Sequence, residues 1–350
     1  MREGVELGTA IACVGEAWGE TEEQQRQPFV GASGQELRVM LEIAGVVKPT
    51  LTNVFCRRPG SNSNELRHLC TDKPMTTEPP FCVPLAKGLY LKEEHFFQVR
   101  ELWKELEGHT TVIALGNTAI WALLGQPPAV SRMRGTFWRS RFIKAKVIST
   151  YHPAAVIRDW SLRTIVMLDM IKAQAFSGTT EIGRPSRRVC IEPTLADLED
   201  WKKDLLARPL VSIDLELDWP SKKSKERYIS CISFSPDPAL SYVVPFIKNR
   251  WERYWTTLEE ECAAWEFVRQ ICEAPMDKVF QKHLFDTYVL RRLEPRIVVG
   301  GHIHDTLHLH HALYPEMPKD LGFMGSVYTE EPAWKLERPK GKGAKEKRDD

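Results

Sequence analysis

Four short apolar runs, each emptying into a polar loop and separated by stretches of helical period, constrain this chain more than any other feature. They are TAIACV (9–14), LTNVF (51–55), TVIAL (111–115) and KVIST (146–150), with helical patterns over 33–44, 98–106 and 118–124. Continuously apolar strands alternating with helices imply a mainly parallel sheet covered on both faces, a three-layer α/β/α arrangement. In such sheets ligands bind beyond the carboxyl ends of the strands, where the connecting loops converge. Chemistry is therefore expected in the loops that leave these runs: GEAWGETEEQQRQPFVG, CRRP, GNTA and YHPAAVIR.

Glu16 stands at the end of the first run, with Glu20, Glu22 and Glu23 behind it and Phe29 between Pro28 and Val30. One loop thus offers an acid and a stacking ring. Asn53 lies in the second run, and its side-chain amide both donates and accepts, as the Watson–Crick edge of a pyrimidine requires. His152 follows the fourth run, and Pro153 helps to fix it in a turn. A carboxylate, a ring, an amide and an imidazole at successive strand ends make a pocket suited to reading a base.

In order along about the first 175 residues, GEAWG with PFVG, TNVFCRRP, ALGNTA and YHPAA resemble the uracil-DNA glycosylase superfamily, nearest to its family four and phage relatives. The resemblance implies a monofunctional glycosylase that flips uracil out of DNA and hydrolyses its N-glycosidic bond. Glu16 and His152 would be catalytic, the first orienting or polarising water and the second stabilising negative charge growing on uracil O2. Phe29 would stack on the base. Asn53 would bond uracil O4 and N3–H and reject cytosine, whose amine is a donor where uracil has an acceptor. Trp18, standing where family four has Pro, joins these uracil-binding residues and alters the pocket mouth. Val156, Ile157 and Arg158 would contact DNA, filling the vacated stack or clamping phosphates.

Family four also implies an iron–sulfur cluster held by an N-terminal C-x-x-C pair and two later cysteines, matched here by Cys56 and Cys70. The pair is missing and Cys13 stands alone inside a strand. No iron–sulfur cluster is expected, and Cys56, Cys70 and Cys82 read as packing thiols in a long insertion. The glycosylase itself needs no cofactor.

Beyond a polar stretch rich in Gly, Pro and Arg (SGTTEIGRPSRR), the segments PLVSIDLELDW, YISCISFSP and LSYVVPF read as three strands, followed by helical stretches over 257–273 and 283–292. That order suggests an α+β or mixed-sheet domain. Asp214 and Glu216, two apart on a strand, point to one face, and Asp286 on the later helix offers a third carboxylate. Carboxylates holding two divalent metals are what phosphodiester hydrolysis uses. With KHLFD (282–286) and HDTLHLHHALYPEMPKDLGFMGSVYTEEPAW (304–334), the pattern resembles the DEDD-type 3′–5′ proofreading exonuclease of family A DNA polymerases, particularly phage ones. The resemblance implies a ribonuclease-H-like mixed sheet with Mg²⁺ or Mn²⁺ at Asp214, Glu216 and Asp286. Lys282 replaces that motif's Asn, and the third motif, Tyr-x-x-x-Asp, does not occur before Asp350. Asp349 and Asp350 lack its Tyr spacing, so the metal site is expected to be incomplete. His302, His304, His308, His310 and His311 invite a zinc reading, with His304, His308 and His311 on one helical face, but the resemblance gives this segment a packing role.

These readings give a glycosylase domain over 1–176, a linker over 177–189, an incomplete exonuclease-like domain over 190–334 and a charged, disordered tail over 335–350. Lys plus Arg number 48 against 47 Asp plus Glu, so DNA contact must come from local patches rather than from the net charge of +1. Eight cysteines without framework spacing, no apolar run of about 18 residues and no signal peptide point to a cytoplasmic protein, in the host cytoplasm if phage-encoded, with no membrane partner. The expected partners are uracil-containing DNA and a separately encoded DNA polymerase. Two alternatives accompany the glycosylase reading: a DNA-binding module or polymerase fragment without turnover, and a metal-dependent exonuclease completed by a partner chain.

Overall fold

Apolar runs that pair in parallel need helices to cross between them, and the first half of the chain follows that rule. The computed structural model describes residues 10–60, 65–127, 129–218, 227–248, 252–293 and 296–332. The chain divides into two units, Met1–Arg184 with Gly322–Asp350, and Pro185–Leu321. The tail expected to be disordered over 335–350 lies outside the described residues.

In the first unit β1 (Ile11–Ala17) leads through α1 (Glu20–Gln25) and α2 (Ala32–Ile43) to β2 (Thr50–Phe55). A small hairpin of β3 (Cys70–Thr71) and β4 (Tyr90–Leu91) precedes α3 (Phe96–Glu105). Then come β5 (Thr111–Leu115), α4 (Asn117–Leu124), the single turn α5 (Val130–Met133), β6 (Phe137–Arg139), β7 (Lys146–Thr150), α6 (Pro153–Arg158) and α7 (Leu162–Ala175). The sheet order is β2-β1-β5-β7-β6, parallel except for β6 at its edge. Alternation along β1 divides the core: Ala12 and Val14 pack with Val99, Leu102, Ile120 and Trp121 of α3 and α4, while Ile11 and Cys13 pack with Leu37, Met40, Val166 and Met170 of α2 and α7. The chain runs from β1 outward to β2 and returns to β5 on the other side, which makes the carboxyl end of β1 a topological switch point. Pairing of Ala17 with Phe55 extends β1 past the end of its apolar run, so Glu16 lies on the strand itself rather than in the loop after it.

The second unit contains β8 (Arg188–Cys190), α8 (Leu195–Leu206), β9 (Leu210–Asp218), β10 (Tyr228–Asp237), β11 (Leu240–Pro245), α9 (Leu258–Glu273), β12 (Asp277–Phe280), α10 (His283–Arg292), β13 (Ile303–Asp305) and α11 (Thr306–Leu313). Its sheet order is β13-β12-β9-β10-β11-β8. β9, β10 and β11 form an antiparallel meander, and β12 and β13 add in parallel beside β9. Without the edge strand β8, that is the 5-4-1-2-3 order of a ribonuclease-H-like mixed sheet. Along β9 the buried Val211, Ile213 and Leu215 alternate with the outward Ser212, Asp214 and Glu216.

The helix α12 (Leu321–Tyr328) belongs, from Gly322 onward, to the first unit. The boundary between units at Arg184 and Pro185 lies inside the expected linker, whereas residues 322–332, read with the second domain, pack within the first. Sequence continuity hid this, because the contacts of α12 are with residues roughly 150 to 190 positions earlier. No helix among the described residues is long and apolar enough to cross a membrane.

Candidate functional site

The loops at the carboxyl ends of β1, β5 and β7, with Asn53 of β2, enclose one cavity of about 480 Å³, a size suited to a single base or similar small ligand. Its walls include Glu16, Trp18, Glu22, Phe29, Asn53, Gly116, Tyr151, His152 and Arg158. Strand pairing sets the first of these: Gly15 of β1 lies in register with Asn53 of β2. A Cβ on Gly15 would stand 2.5 Å from both Asn53 Nδ2 and Phe29 Cζ, so the bare backbone of Gly15 leaves room for the amide and the ring to flank it. Phe29 reaches that position with a backbone φ of 55°, in the left-handed region where a bulky side chain is disfavoured.

Glu16 is desolvated, which raises its carboxyl above the ordinary range, while Thr118 Oγ1 donates to Glu16 Oε2 at 2.6 Å and works against that rise. Thr118 comes from α4, at the ALGNTA turn; it had no role in the sequence reading, although the turn itself had been singled out. His152 is the N-cap of α6, and its Nδ1 accepts from the Ala154 N–H at 3.2 Å. Burial pushes the imidazole down to about 4; the charge of Arg158 acts in the same direction and that of Glu22 opposes it. A neutral ring whose Nδ1 is an acceptor carries its proton on Nε2, so His152 has one N–H left to donate. Its ring lies 6.1 Å from that of Phe29, centroid to centroid. Glu22 is a further wall residue whose importance was not legible: it is buried and accepts from the Gly31 N–H at 2.8 Å, bracing the loop that carries Phe29.

The residues expected to contact DNA separate. Arg158 lines the cavity and Ile157 is half exposed, but Val156 is fully buried among Leu37, Met40 and Val166 and cannot meet DNA. On a helix, neighbouring residues point about 100° apart, so three consecutive positions do not share one face. Trp160, just beyond, is exposed, with Arg163 over its ring.

Cys13 packs on the α2 and α7 face of the sheet and Cys70 on the α3 and α4 face, so the two lie on opposite faces and do not suit one shared cluster. Burial pushes the Cys13 thiol up to about 12. Cys70 Sγ donates to Leu66 O and Cys56 Sγ to Asn53 O, and Cys82 is partly buried.

In the second unit the charges of Asp214 and Glu216 act on Asp286, although the ligand atoms of these three do not all lie within 4.8 Å of one another. Asp286 is buried on α10 and pushed up to about 7, first by burial and then by the negative charges of Asp214, Asp305 and Glu216. An unneutralised field of this kind fits a divalent cation. Lys282, in place of the motif's Asn, adopts φ 66°, a conformation in which Asn is more at ease than Lys. Asp305, not singled out in the sequence, caps both flanking helices: it accepts from the backbone N–H groups of Lys282, His283 and Leu307 and from His283 Nδ1. Burial works to raise its carboxyl, but those bonds hold it at about 2.

The zinc reading fails on geometry. His304 lies on β13, not on the helix with His308 and His311, and its Nε2 meets Asp277 at 3.0 Å. Among the described residues, the trio of ligand-type side chains that closes within 4.8 Å is His283, Asp305 and His308, and the Asp305 oxygens are already engaged in capping.

Comparison with known proteins bears on both units. The profile of the uracil DNA glycosylase superfamily matches residues 2–174. A type-4 uracil-DNA glycosylase of Thermotoga maritima is 30% identical over 177 residues, covering 49% of this chain and 79% of that protein. That of Archaeoglobus fulgidus is 32% identical over 161 residues, covering 44% of this chain and 69% of its own length. Among solved structures, the catalytic core of RRP6 from Trypanosoma brucei aligns with a TM-score of 0.32 at 17% identity, covering 42% of this chain and 36% of that one. Escherichia coli RNase D, an exoribonuclease, aligns with a TM-score of 0.30 at 14% identity, covering 42% and 34%. The chain spans only about a third of those two solved chains, and a likeness that low decides nothing. The architecture of the second unit rests on its own strand order.

Proposed function

Because the chain belongs to the uracil DNA glycosylase superfamily, we propose that its first unit hydrolyses the N-glycosidic bond of uracil in DNA, with Glu16 and His152 catalytic and Phe29, Asn53 and Trp18 holding the base. The observation that supports this most is that Glu16, Phe29, Asn53 and His152, far apart in sequence, wall one cavity. The flipped uracil stacks on Phe29 and presents its O4 and N3–H edge to Asn53. Glu16, kept available as a carboxylate by Thr118, accepts a hydrogen bond from the water that attacks C1′. As the C1′–N1 bond breaks, its electron pair passes into the uracil ring, and His152 Nε2–H donates to the charge gathering on O2. The water's proton leaves through Glu16. Arg158, with Ile157 beside it, meets the DNA backbone at the cavity mouth. An Asn53→Asp variant tests the edge reading: it should gain release of cytosine, and failure to do so while uracil release persists contradicts the role given to Asn53.

In the second unit Asp214, Glu216 and Asp286 would hold Mg²⁺ or Mn²⁺, which when bound supplies Lewis-acid stabilisation to a phosphodiester. The raised Asp286 carboxyl favours this reading. The carboxylate that would complete 3′–5′ exonuclease turnover is assigned here to a partner chain, and a separately encoded DNA polymerase has the chemistry to be one. A glycosylase tethered to a nuclease-like unit suits work on DNA that is being replicated. Shortening of an end-labelled strand that needs both added Mg²⁺ and the partner tests it; metal-dependent shortening by this chain alone contradicts the need for one.

A further inference from the structure

Four buried charged side chains of the first unit are not used by the mechanism, Arg134, Lys146, Asp169 and Lys172, and three of them form one network. Arg134 donates to both carboxylate oxygens of Asp169, through Nε at 3.0 Å and through Nη2, and its Nη1 donates to Ser326 Oγ at 3.0 Å. Lys172 Nζ donates to Gly135 O at 2.7 Å, to Ser326 O at 2.8 Å and to Thr329 O. Ser326 lies in α12 and Thr329 just follows it, so the ammonium sits where that helix presents its unpaired carbonyls and the negative end of its dipole. Gly135, with φ 69°, lets the helix come this close: a Cβ there would stand 2.9 Å from Ser326 O and 2.7 Å from Asp169 Oδ1. Glu330 continues the seam, its Oε1 accepting from Gly183 N–H at 3.1 Å and its carbonyl from Arg184 Nε at 2.9 Å.

The network also points inward. Thr150 Oγ1 donates to Asp169 Oδ2 at 2.6 Å, and Thr150 is the last residue of β7, directly before Tyr151 and His152. The charges of Arg134 and Asp169 reach the Tyr151 phenol, which lines the cavity. We propose that the segment Gly322–Glu330 is a working part of the uracil-releasing unit: through Ser326, Arg134, Lys172 and Asp169 it fixes Thr150 and so the position of the His152 loop. Arg134, Lys172 and Ser326 are positioning residues, and Pro185–Leu321 is an insertion into the glycosylase rather than a module appended to it. The inference rests on the reading of the cavity as a uracil site.

The test compares uracil release by the full chain with that of a chain stopped after Leu321, a chain stopped after Pro332, and full-length Lys172→Met, Ser326→Ala and Ser326→Thr. Displacing a catalytic loop by about 1 Å costs on the order of a hundredfold in turnover. The chain stopped after Leu321 and Lys172→Met should therefore lose kcat by about that factor, with KM within about twofold. A synthetic peptide of residues 322–332 should restore the shortened chain, the chain stopped after Pro332 should keep the full rate, and Ser326→Thr should retain what Ser326→Ala loses. If the chain stopped after Leu321 does not fold, the full-length variants decide. Full turnover in Lys172→Met and Ser326→Ala, or in a folded chain stopped after Leu321, overturns this inference alone. Absence of release by the unaltered chain overturns the reading of the cavity instead.

Discussion

Acidification of His152 gives the most quantitative test of the site. Burial and Arg158 push this imidazole from its ordinary value of 6.5 to about 4. A difference of about 2.5 at roughly 1.4 kcal/mol per unit corresponds to about 3 kcal/mol favouring the neutral ring in the folded chain, and contact with solvent at the cavity mouth trims it. The sign follows from proton counting. Between pH 6.5 and about 4 the unfolded chain binds a proton that the folded chain refuses, so this stabilisation is present above 6.5 and is lost as pH falls through about 4. At pH 5 only about a tenth of the folded molecules should carry a charged ring, against nearly all for an ordinary histidine. Proton NMR of the His152 ring across pH 3.5–8, alongside the pH dependence of uracil release, measures this. The ring should stay neutral through pH 6.5 and titrate only toward about 4, leaving the acid-side fall of release to Glu16, and Arg158→Gln should move the ring's titration upward. A ring that titrates near 6.5, with release falling in step, would refute the neutral-donor role.

Three further outcomes follow from the geometry. Gly15→Val should cut uracil release by at least about a hundredfold, because its side chain would occupy the space between Asn53 and Phe29; release rates with circular dichroism as a folding control check this. Thr118→Val removes a charge-assisted bond worth about 1.5–3 kcal/mol to the Glu16 carboxylate, so the acid limb of the release profile should move to higher pH, read from rates across pH 4–9. Asp286→Asn should stabilise the chain at pH 8 but not at pH 4. The folded chain holds an extra proton on Asp286 between 3.8 and about 7, so that stability is full below 3.8 and lost as pH rises through about 7. Thermal unfolding with and without Mg²⁺ reads this out, since the cation should stabilise the unaltered chain and leave Asp286→Asn nearly unchanged.

Much of the architecture was legible because continuously apolar runs identify buried parallel strands, and the residues that carry chemistry sit where those runs end. Glu16, Phe29, Asn53 and His152 meet around one cavity for that reason. The alternation in β9 likewise marked Asp214 and Glu216 as sharing a face. What escaped depends on three-dimensional neighbours that no local period encodes. Val156 and Ile157 differ only in the face of α6 they occupy, and Thr118 bonds Glu16 across 102 positions. His304 was read as helical because its histidine-rich surroundings carry a helical spacing, yet the chain is still pairing as β13 there. The return of α12 was the least visible feature. Its signals are buried cations in α7 and beside β6, and a Lys or Arg in sequence reads as surface until its acceptors are known.

The most direct measurement is the count of abasic sites formed in a uracil-containing single strand by the full chain in the presence of a metal chelator, beside Asn53→Ala and Glu16→Gln. The unaltered chain should form abasic sites without added metal, leave a thymine-containing strand intact, and lose release by about two orders of magnitude or more in either variant. Release that persists undiminished in folded Asn53→Ala and Glu16→Gln, or an unaltered chain that binds the strand and forms no abasic sites, would contradict the assignment of this cavity to uracil.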